Sequence, residues 1–200
     1  TPSVRWADAR FAVSANIGFY RLTKNGAVYH GPGDAMVHGQ ATVLGHAARS
    51  AGVALAISAP TGSARDGLGM GHVMLMPALW GSWSVGDVTV AASGGYGRAL
   101  GASSGDGGEH VHGSGPIVDP MNFSELTWSA SGELAVAKAL RLGARVGGAF
   151  ALGEGGTDRT IGAVRALWSA GRVATSAELQ VGLVGEPFNV RGIVETALRF

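Results

Sequence analysis

Side chains in the C-terminal third of the chain alternate between apolar and polar with a period of two residues. Within residues 173–184, Val173, Leu179 and Val181 share one parity, and Glu178 and Gln180 stand on the other. Successive side chains of a β-strand point to opposite faces, whereas a helix repeats after about 3.6 residues. The segment is therefore predicted to be a strand with one apolar face and one polar face.

The positions of the charged residues test the predicted strand pattern more strictly. In the last five such segments, every charge falls on one parity of its own segment and none falls on the other. A spacing of six residues, as between Arg159 and Arg165, would place two charges on different sides of a helix. The parity and spacing of the charges therefore indicate β-strands whose charged side chains face inward. The predicted inward-facing charge network comprises Glu125, Glu133, Arg141, Arg145, Arg159, Arg165, Arg172, Glu178, Arg191, Glu195 and Arg199.

Ten segments carry this alternation, and their connections alternate between short and long. The segments are 11–22, 34–48, 52–59, 70–85, 88–98, 122–136, 140–152, 159–170, 173–184 and 190–200. Connections 48–52, 85–88, 136–140 and 170–172 are tight, while 23–33, 60–69 and 99–121 are long. Short turns at one end and long loops at the other are typical of an up-and-down barrel. We therefore predict an all-β, transmembrane, antiparallel β-barrel of about ten strands, with eight or twelve as alternatives, over 11–200, preceded by an N-terminal segment 1–10.

Composition agrees with a barrel that meets lipid. Hydrophobic residues make up 46% of the chain and charged residues only 14%, against about 25% in soluble proteins. No apolar run approaches the roughly 18 residues of a membrane-spanning helix. The net charge of +1, without a basic block, argues against a nucleic-acid partner. The lack of cysteine suits an oxidising compartment, and a chain that starts at Thr1 without a signal sequence would, if exported, have lost it already.

The end of the chain resembles a known group. Val194, Thr196 and Leu198 on alternate positions, followed by the terminal Phe200, look like the C-terminal strand signature of Gram-negative outer-membrane β-barrel proteins. That resemblance implies a location in the bacterial outer membrane with both termini periplasmic, contact with outer-membrane lipid and lipopolysaccharide, and recognition by the barrel assembly machinery. A fainter resemblance, through Gly33-Asp34 and the flanks of Pro60 and Pro77, is to barrels of phenol-degradation meta-pathway operons.

Methionine and histidine are confined to the first 121 residues. On the parity predicted to face the lumen, Met36 and His38 begin one segment and Met70 and His72 another. Thioether and imidazole ligands together favour late transition ions, above all copper. The candidate metal ligands are Met36, His38, His46, Met70, His72, Met74, Met76, His110, His112 and Met121. The alternative interpretation is that methionine packs a narrow lumen and histidine is a polar spacer.

Several functions remain open at this point. The leading hypothesis is that the barrel binds or passes a small solute through the half of the lumen on the long-loop side, which methionine and histidine line. Copper is the solute that these ligands would favour. Charges facing each other across adjacent strands would form ion-pair ladders, which either plug the lumen or select small anions or a chelated metal. A second hypothesis is a non-transporting barrel that anchors a periplasmic or outer-membrane protein partner.

An enzyme is not expected, because no Ser/His/Asp order or close carboxylate pair stands out. The one catalytic alternative is a rim protease of the ten-stranded outer-membrane type. Its Asp and His residues would come from Asp34, Asp66, Asp106, Asp119, His38, His72, His110 and His112.

Overall fold

The structure, a computed structural model, describes residues 1–24, 26–46, 48–100, 121–153, 156–185 and 190–199. Within these residues the chain forms strands joined by turns and loops. The strands are β1 (Pro2–Ala7), β2 (Phe11–Lys24), β3 (Ala27–His46), β4 (Arg49–Ala59), β5 (Val73–Val85), β6 (Val88–Leu100), β7 (Ser124–Ala137), β8 (Leu140–Ala151), β9 (Arg159–Ala170), β10 (Val173–Val184) and β11 (Val190–Arg199).

These strands close into one barrel in the order β1-β11-β10-β9-β8-β7-β6-β5-β4-β3-β2. The ten long strands pair antiparallel with their sequence neighbours, as predicted. The short β1 makes the eleventh strand and completes the ring, antiparallel to β2 and parallel to β11. The all-β barrel prediction is confirmed, and the expected count of about ten is close.

The N-terminal residues differ from the expected separate segment. Ser3 and Arg5 of β1 pair with Asn16 and Ser14 of β2, so β1 belongs to the barrel wall. The amide of Thr196 donates to the carbonyl of Thr1 at 3.2 Å, which places Thr1 partway along the wall. Only six residues alternate in β1, too short a run to distinguish a strand from an extended tail.

Short hairpins define one end of the barrel, here called the tight-turn end. Gly86 and Gly171 have φ of 58° and 55°, the left-handed conformation that two-residue hairpins require. At the other end, residues predicted as the long loop 23–33 instead lengthen β2 and β3 into a hairpin that pairs out to Lys24 and Ala27. The expected loop at 60–69 is present between β4 and β5, while 101–120 of the next connection lies outside the described residues.

The two faces of the wall have opposite character. Outward positions carry exposed apolar side chains such as Val53, Leu79 and Val164, whereas the inward neighbours in β7 to β11 carry the charges. Register settles which residues share a face, because directly paired residues point the same way. Ser14, His38 and Ala56 form one inward row across β2, β3 and β4.

One bulge changes the predicted facing of the end of β3. The register with β4 shifts between Thr42 and Leu44, so that Leu44 pairs with Ala51 and His46 with Arg49. A one-residue bulge moves the following side chains to the opposite face. Leu44 is therefore exposed on the outer face, and His46 lies there with it at the tight-turn end. The prediction that His46 lines the lumen is wrong.

Close packing of the wall predicts different tolerance at two glycines of the β7–β8 hairpin. A Cβ at Gly148 would collide with the carbonyl oxygen of Arg159 and lie 3.1 Å from the Cα of Thr160, while one at Gly132 would meet nothing within 4 Å. Gly148→Ala is expected to destabilise the refolded barrel by about 1–3 kcal/mol through overpacking. Gly132→Ala is the matched control and should unfold in urea at the wild-type concentration. Equal urea midpoints for the two variants would contradict this register.

Candidate functional site in the barrel lumen

A buried ion pair lies in the lumen towards the long-loop end. The side chains of Glu125 and Arg159 are 3% and 12% exposed, and Arg159 Nη2 donates to Glu125 Oε2 at 2.6 Å. The amide and Nδ2 of Asn122 donate to the same oxygen at 2.8 and 3.0 Å. Arg159 reaches Glu125 over Ala149, which pairs with it from the intervening strand β8. The carboxylate is thus held by three donors in a site nearly closed to water.

A second layer lies closer to the tight-turn end. Arg145 donates through Nε and Nη2 to Glu178, the shortest contact being 2.7 Å. Gln180, which is only 1% exposed, donates to the same carboxylate and accepts from Arg191 Nε at 2.8 Å. This chain of donors and acceptors joins β8, β10 and β11 along one side of the lumen.

The third layer is centred on Glu133 of β7. Arg165 donates to Glu133 Oε1, and Arg141 Nη1 lies 3.8 Å from Oε2. Gly143 of β8 pairs with both Glu133 and Arg165, so no side chain separates them. A Cβ at Gly143 would stand 3.0 Å from Glu133 Cγ. The absence of a side chain at Gly143 leaves room for this contact.

These pairs correct the predicted ladder between adjacent strands. Of the four ion pairs among the described residues, only Arg141 with Glu133 joins neighbouring strands. The other three skip a strand and cross over Gly143, Ala149 or Ala163. Two strand spacings amount to about 10 Å, which a long arginine side chain can bridge when the residue between is small. Small inward residues therefore decide which charges meet.

The remaining members of the predicted charge network lie apart from these layers. Arg172 is exposed in the β9–β10 turn, so the prediction that it faces the lumen is wrong. Glu195 faces inward beside Ser176 and makes no ion pair with any described residue. The backbone of Arg199 lies in β11, and its side chain falls outside the described part of the chain.

Methionine and histidine line the opposite wall in two adjacent rows. Met36, Ser58 and Met74 are paired across β3, β4 and β5, and so are His38, Ala56 and Met76. Met74 is fully buried. Met74 and Met76 face inward, as predicted for β5. Because Ser58 and Ala56 of β4 are small, the side chains of β3 and β5 face each other across them.

The β4–β5 loop folds into the mouth of the barrel and is tied to β3 by Asp34. Asp34 Oδ1 accepts the amide of Gly62 at 3.0 Å, and Oδ2 accepts the amide of Met70 at 2.7 Å. Thr61 Oγ1 donates to the carbonyl of Gly33 at 2.9 Å. Leu68 and Met70 of this loop are buried. We call residues 60–72 the plug loop, because it folds onto the inward-facing Asp34 at the long-loop end of the lumen, beside the hairpin of β2 and β3.

The plug loop changes the placement of two candidate ligands. Met70 and His72 precede β5 and do not begin it as predicted, although both are buried at the same end as Met36 and Met74. His72 packs against Phe123 with ring centroids 5.2 Å apart. Met121 lies just before β7, and His110 and His112 fall outside the described residues. No group of three or more His, Cys, Asp or Glu side chains suited to a metal occurs in the described ranges.

A polar cavity of about 610 Å³ occupies the tight-turn end of the lumen. We call it the vestibule. Seven of the eleven strands and the β7–β8 turn contribute to its wall. The lining residues are Ser3, Arg5, Ser14, Glu133, Lys138, Arg141, Arg165, Leu167, Ser169, Ala174, Ser176, Glu195 and Ala197. Glu133 and Arg165 lie at its inner end, next to the Arg145–Glu178 layer.

Two residues of the site, Asn122 and Gln180, were not among the predicted site residues, and Asp34 was named only as a candidate of the rim protease. Asn122 and Gln180 complete the hydrogen bonding of buried carboxylates, and Asp34 ties down the plug loop. Gln180 stands on the charged parity of its strand, a signal that sequence reasoning could have used. The part played by Asp34 depends on a loop that returns to β3, which no local pattern reveals.

Comparisons with known proteins do not assign the chain to a family. No protein-family model matches it, and no curated protein is similar in sequence. Across the residues that the structure describes, no helix has the length and apolar character needed to traverse a membrane.

Removing one member of the most buried ion pair should cost far more than removing an exposed arginine. Arg159→Met leaves the Glu125 carboxylate buried without its cation, and we expect the free energy of unfolding to fall by about 3–5 kcal/mol. Arg172→Met is the matched control and should change it by less than about 0.5 kcal/mol. Adding Glu125→Gln to Arg159→Met should recover part of the loss. Urea titrations followed by tryptophan fluorescence measure all three, and equal losses for Arg159→Met and Arg172→Met would contradict the pairing.

Proposed function

We propose that the chain is an outer-membrane β-barrel that binds a small solute in its lumen and passes it when the plug loop moves. The observation that carries this proposal is the outer face of the wall. From Phe11 to Phe19 on β2, and likewise on the other long strands, outward residues between the two rims are apolar, glycine or threonine. A charge on such a face costs about 2–4 kcal/mol at the bilayer midplane. A closed barrel also satisfies its backbone hydrogen bonds without water, as a bilayer demands.

The rims support the same placement. At the tight-turn end, Trp6, Trp83 and Trp168 are exposed on the outer face, and the guanidinium of Arg49 lies 5.2 Å from the ring centroid of Trp83. Phe19 is exposed towards the other end. Aromatic belts with charges just beyond them are typical of the two membrane interfaces. Contact with lipid and lipopolysaccharide, and insertion by the barrel assembly machinery, belong to this proposal.

The vestibule supports solute binding, and the ion-pair layers and plug loop that follow it along the bore support a barrel that is closed at rest. A volume of about 610 Å³ falls within the usual range of roughly 300–1,000 Å³ for ligand sites. Beyond Glu133, the Arg145–Glu178 and Glu125–Arg159 ion pairs and the plug loop, which is tied to Asp34, occupy part of the bore. The same packing also favours the alternative of a non-transporting barrel that anchors a partner protein, and conductance separates the two.

A second candidate function is copper binding at the Met/His wall. It is favoured by the two adjacent rows that bring Met36, His38, Met74 and Met76 to one side of the lumen, with Met70 buried nearby. Thioether-rich sites select Cu(I) over harder ions.

Breaking the Asp34 attachment of the plug loop should open the barrel. In planar bilayers we expect the wild-type barrel to conduct rarely and Asp34→Ala to conduct more often and with larger steps, because two amide donors of the plug loop lose their acceptor. Asp66→Ala is the matched control, since among the described residues the hydrogen bonds of Asp66 go to Ser63 of the same loop. Silent traces from both variants, despite insertion, would exclude passage and favour the anchoring barrel.

Copper binding is tested by titrating the reduced ion into the refolded barrel. Loss of affinity of about tenfold or more is expected for His38→Ala and for Met74→Leu if both supply ligands. His46→Ala removes a histidine from the outer face at the other end and should bind as wild type. Identical affinities in all three variants would eliminate the copper hypothesis and leave solute passage untouched.

A further inference from the structure

The vestibule carries more positive than negative charge. Its lining includes four basic side chains, those of Arg5, Lys138, Arg141 and Arg165, and two acidic ones, those of Glu133 and Glu195. Two positive charges are therefore in excess. Glu133 is already held by Arg165 and Arg141, so its charge is neutralised within the wall.

Two of the basic groups face the cavity without a carboxylate. Neither Arg5 nor Lys138 belongs to any of the four ion pairs found among the described residues. Arg5 lies on β1, and Lys138 lies in the β7–β8 turn, nearly half the barrel away in the strand order. Cations on opposing walls of one enclosed space can hold a single anion between them, and arginine can do so with two parallel hydrogen bonds.

Hydroxyl groups complete the lining between these cations. Ser14 pairs directly with Arg5, and Ser176 pairs with Glu195 on the neighbouring wall. Serine donates a hydrogen bond to an anionic oxygen as readily as it accepts one. No aromatic side chain lines this cavity, so the stacking surface that a ring or sugar would use is missing from its described wall.

A smaller cavity of about 130 Å³ continues inward from the vestibule. It shares Glu133 and Arg165 with the vestibule and adds Arg145, Ser129 and Ser131. Glu133 and Arg165 thus border both spaces, and the two arginines that contact Glu133, Arg165 and Arg141, both line the vestibule. An anion in the vestibule competes with the Glu133 carboxylate for Arg165 and Arg141.

We propose that the vestibule is a binding site for a small oxyanion, a carboxylate or phosphate compound, held between Arg5 and Lys138 and next to the Glu133–Arg165 pair. This inference rests on the proposed function and specifies its solute by charge and size. Entry is from the tight-turn end, and an anion that displaces Glu133 from Arg165 loosens the layer that blocks the bore.

The test is calorimetric titration of citrate into the detergent-refolded barrel at low ionic strength. Arg5→Gln and Lys138→Gln should each weaken citrate binding by about tenfold, as expected for the loss of one charge-assisted hydrogen bond. Arg172→Gln is the matched control: it removes an exposed cation at the same end that does not line the cavity. Binding should also weaken as salt is raised.

Three results would overturn the oxyanion site: no citrate binding by a folded barrel, equal loss in the Arg172→Gln control, or tighter binding of spermidine than of citrate. These outcomes are separate from a failure of the proposed function, which vesicle flotation and bilayer conductance report. A barrel that inserts and conducts but ignores citrate would refute the anion site alone. A barrel that binds citrate in detergent but does not insert into vesicles would refute the membrane proposal alone.

Discussion

Successive side chains of each strand point alternately to the outer face of the barrel and to its lumen. The remaining structure depends on this alternation. The outer wall is apolar because charged residues occupy inward positions or the rims. The lumen must then hold a dense set of charges in a narrow space, and each buried charge requires a partner. The ion-pair layers are the consequence of keeping the outer face apolar.

Small residues make that arrangement possible. Gly143 and Ala149 lie between the strands whose charges meet, so Arg165 reaches Glu133 and Arg159 reaches Glu125. The high glycine content of 34 in 200 residues is partly explained by such positions. The two halves of the lumen differ accordingly: the ion pairs of the described residues join β7, β8, β9 and β10. On the other side, Met36 and Met74 face each other over Ser58. The vestibule lies at the tight-turn end, away from the plug loop.

Much of the fold follows from local pattern, and the exceptions have identifiable physical causes. β9 and β10 match the predicted segments, because the alternation of each strand and the tight turn at Gly171 between them can both be recognised from neighbouring residues. His46 was misplaced by a bulge, since one extra residue inverts parity without leaving a trace in the alternation. Pairs such as Arg145 with Glu178 could not be assigned, because a sequence pattern gives the face of a residue and not the strand that it reaches. The fold of the plug loop onto Asp34 is equally non-local.

The alternation itself can be measured one residue at a time, because the chain contains no cysteine. Single cysteines placed in turn along 173–183 of β10 would carry a polarity-sensitive fluorophore in lipid vesicles. Emission is predicted to shift to shorter wavelength at Thr175, Ala177 and Leu179 and to longer wavelength at Ala174, Ser176 and Gly182, with collisional quenching by lipid-bound quenchers at the first set only. Emission that does not vary with a period of two, or equal access of water-soluble quenchers to both sets, would contradict the account.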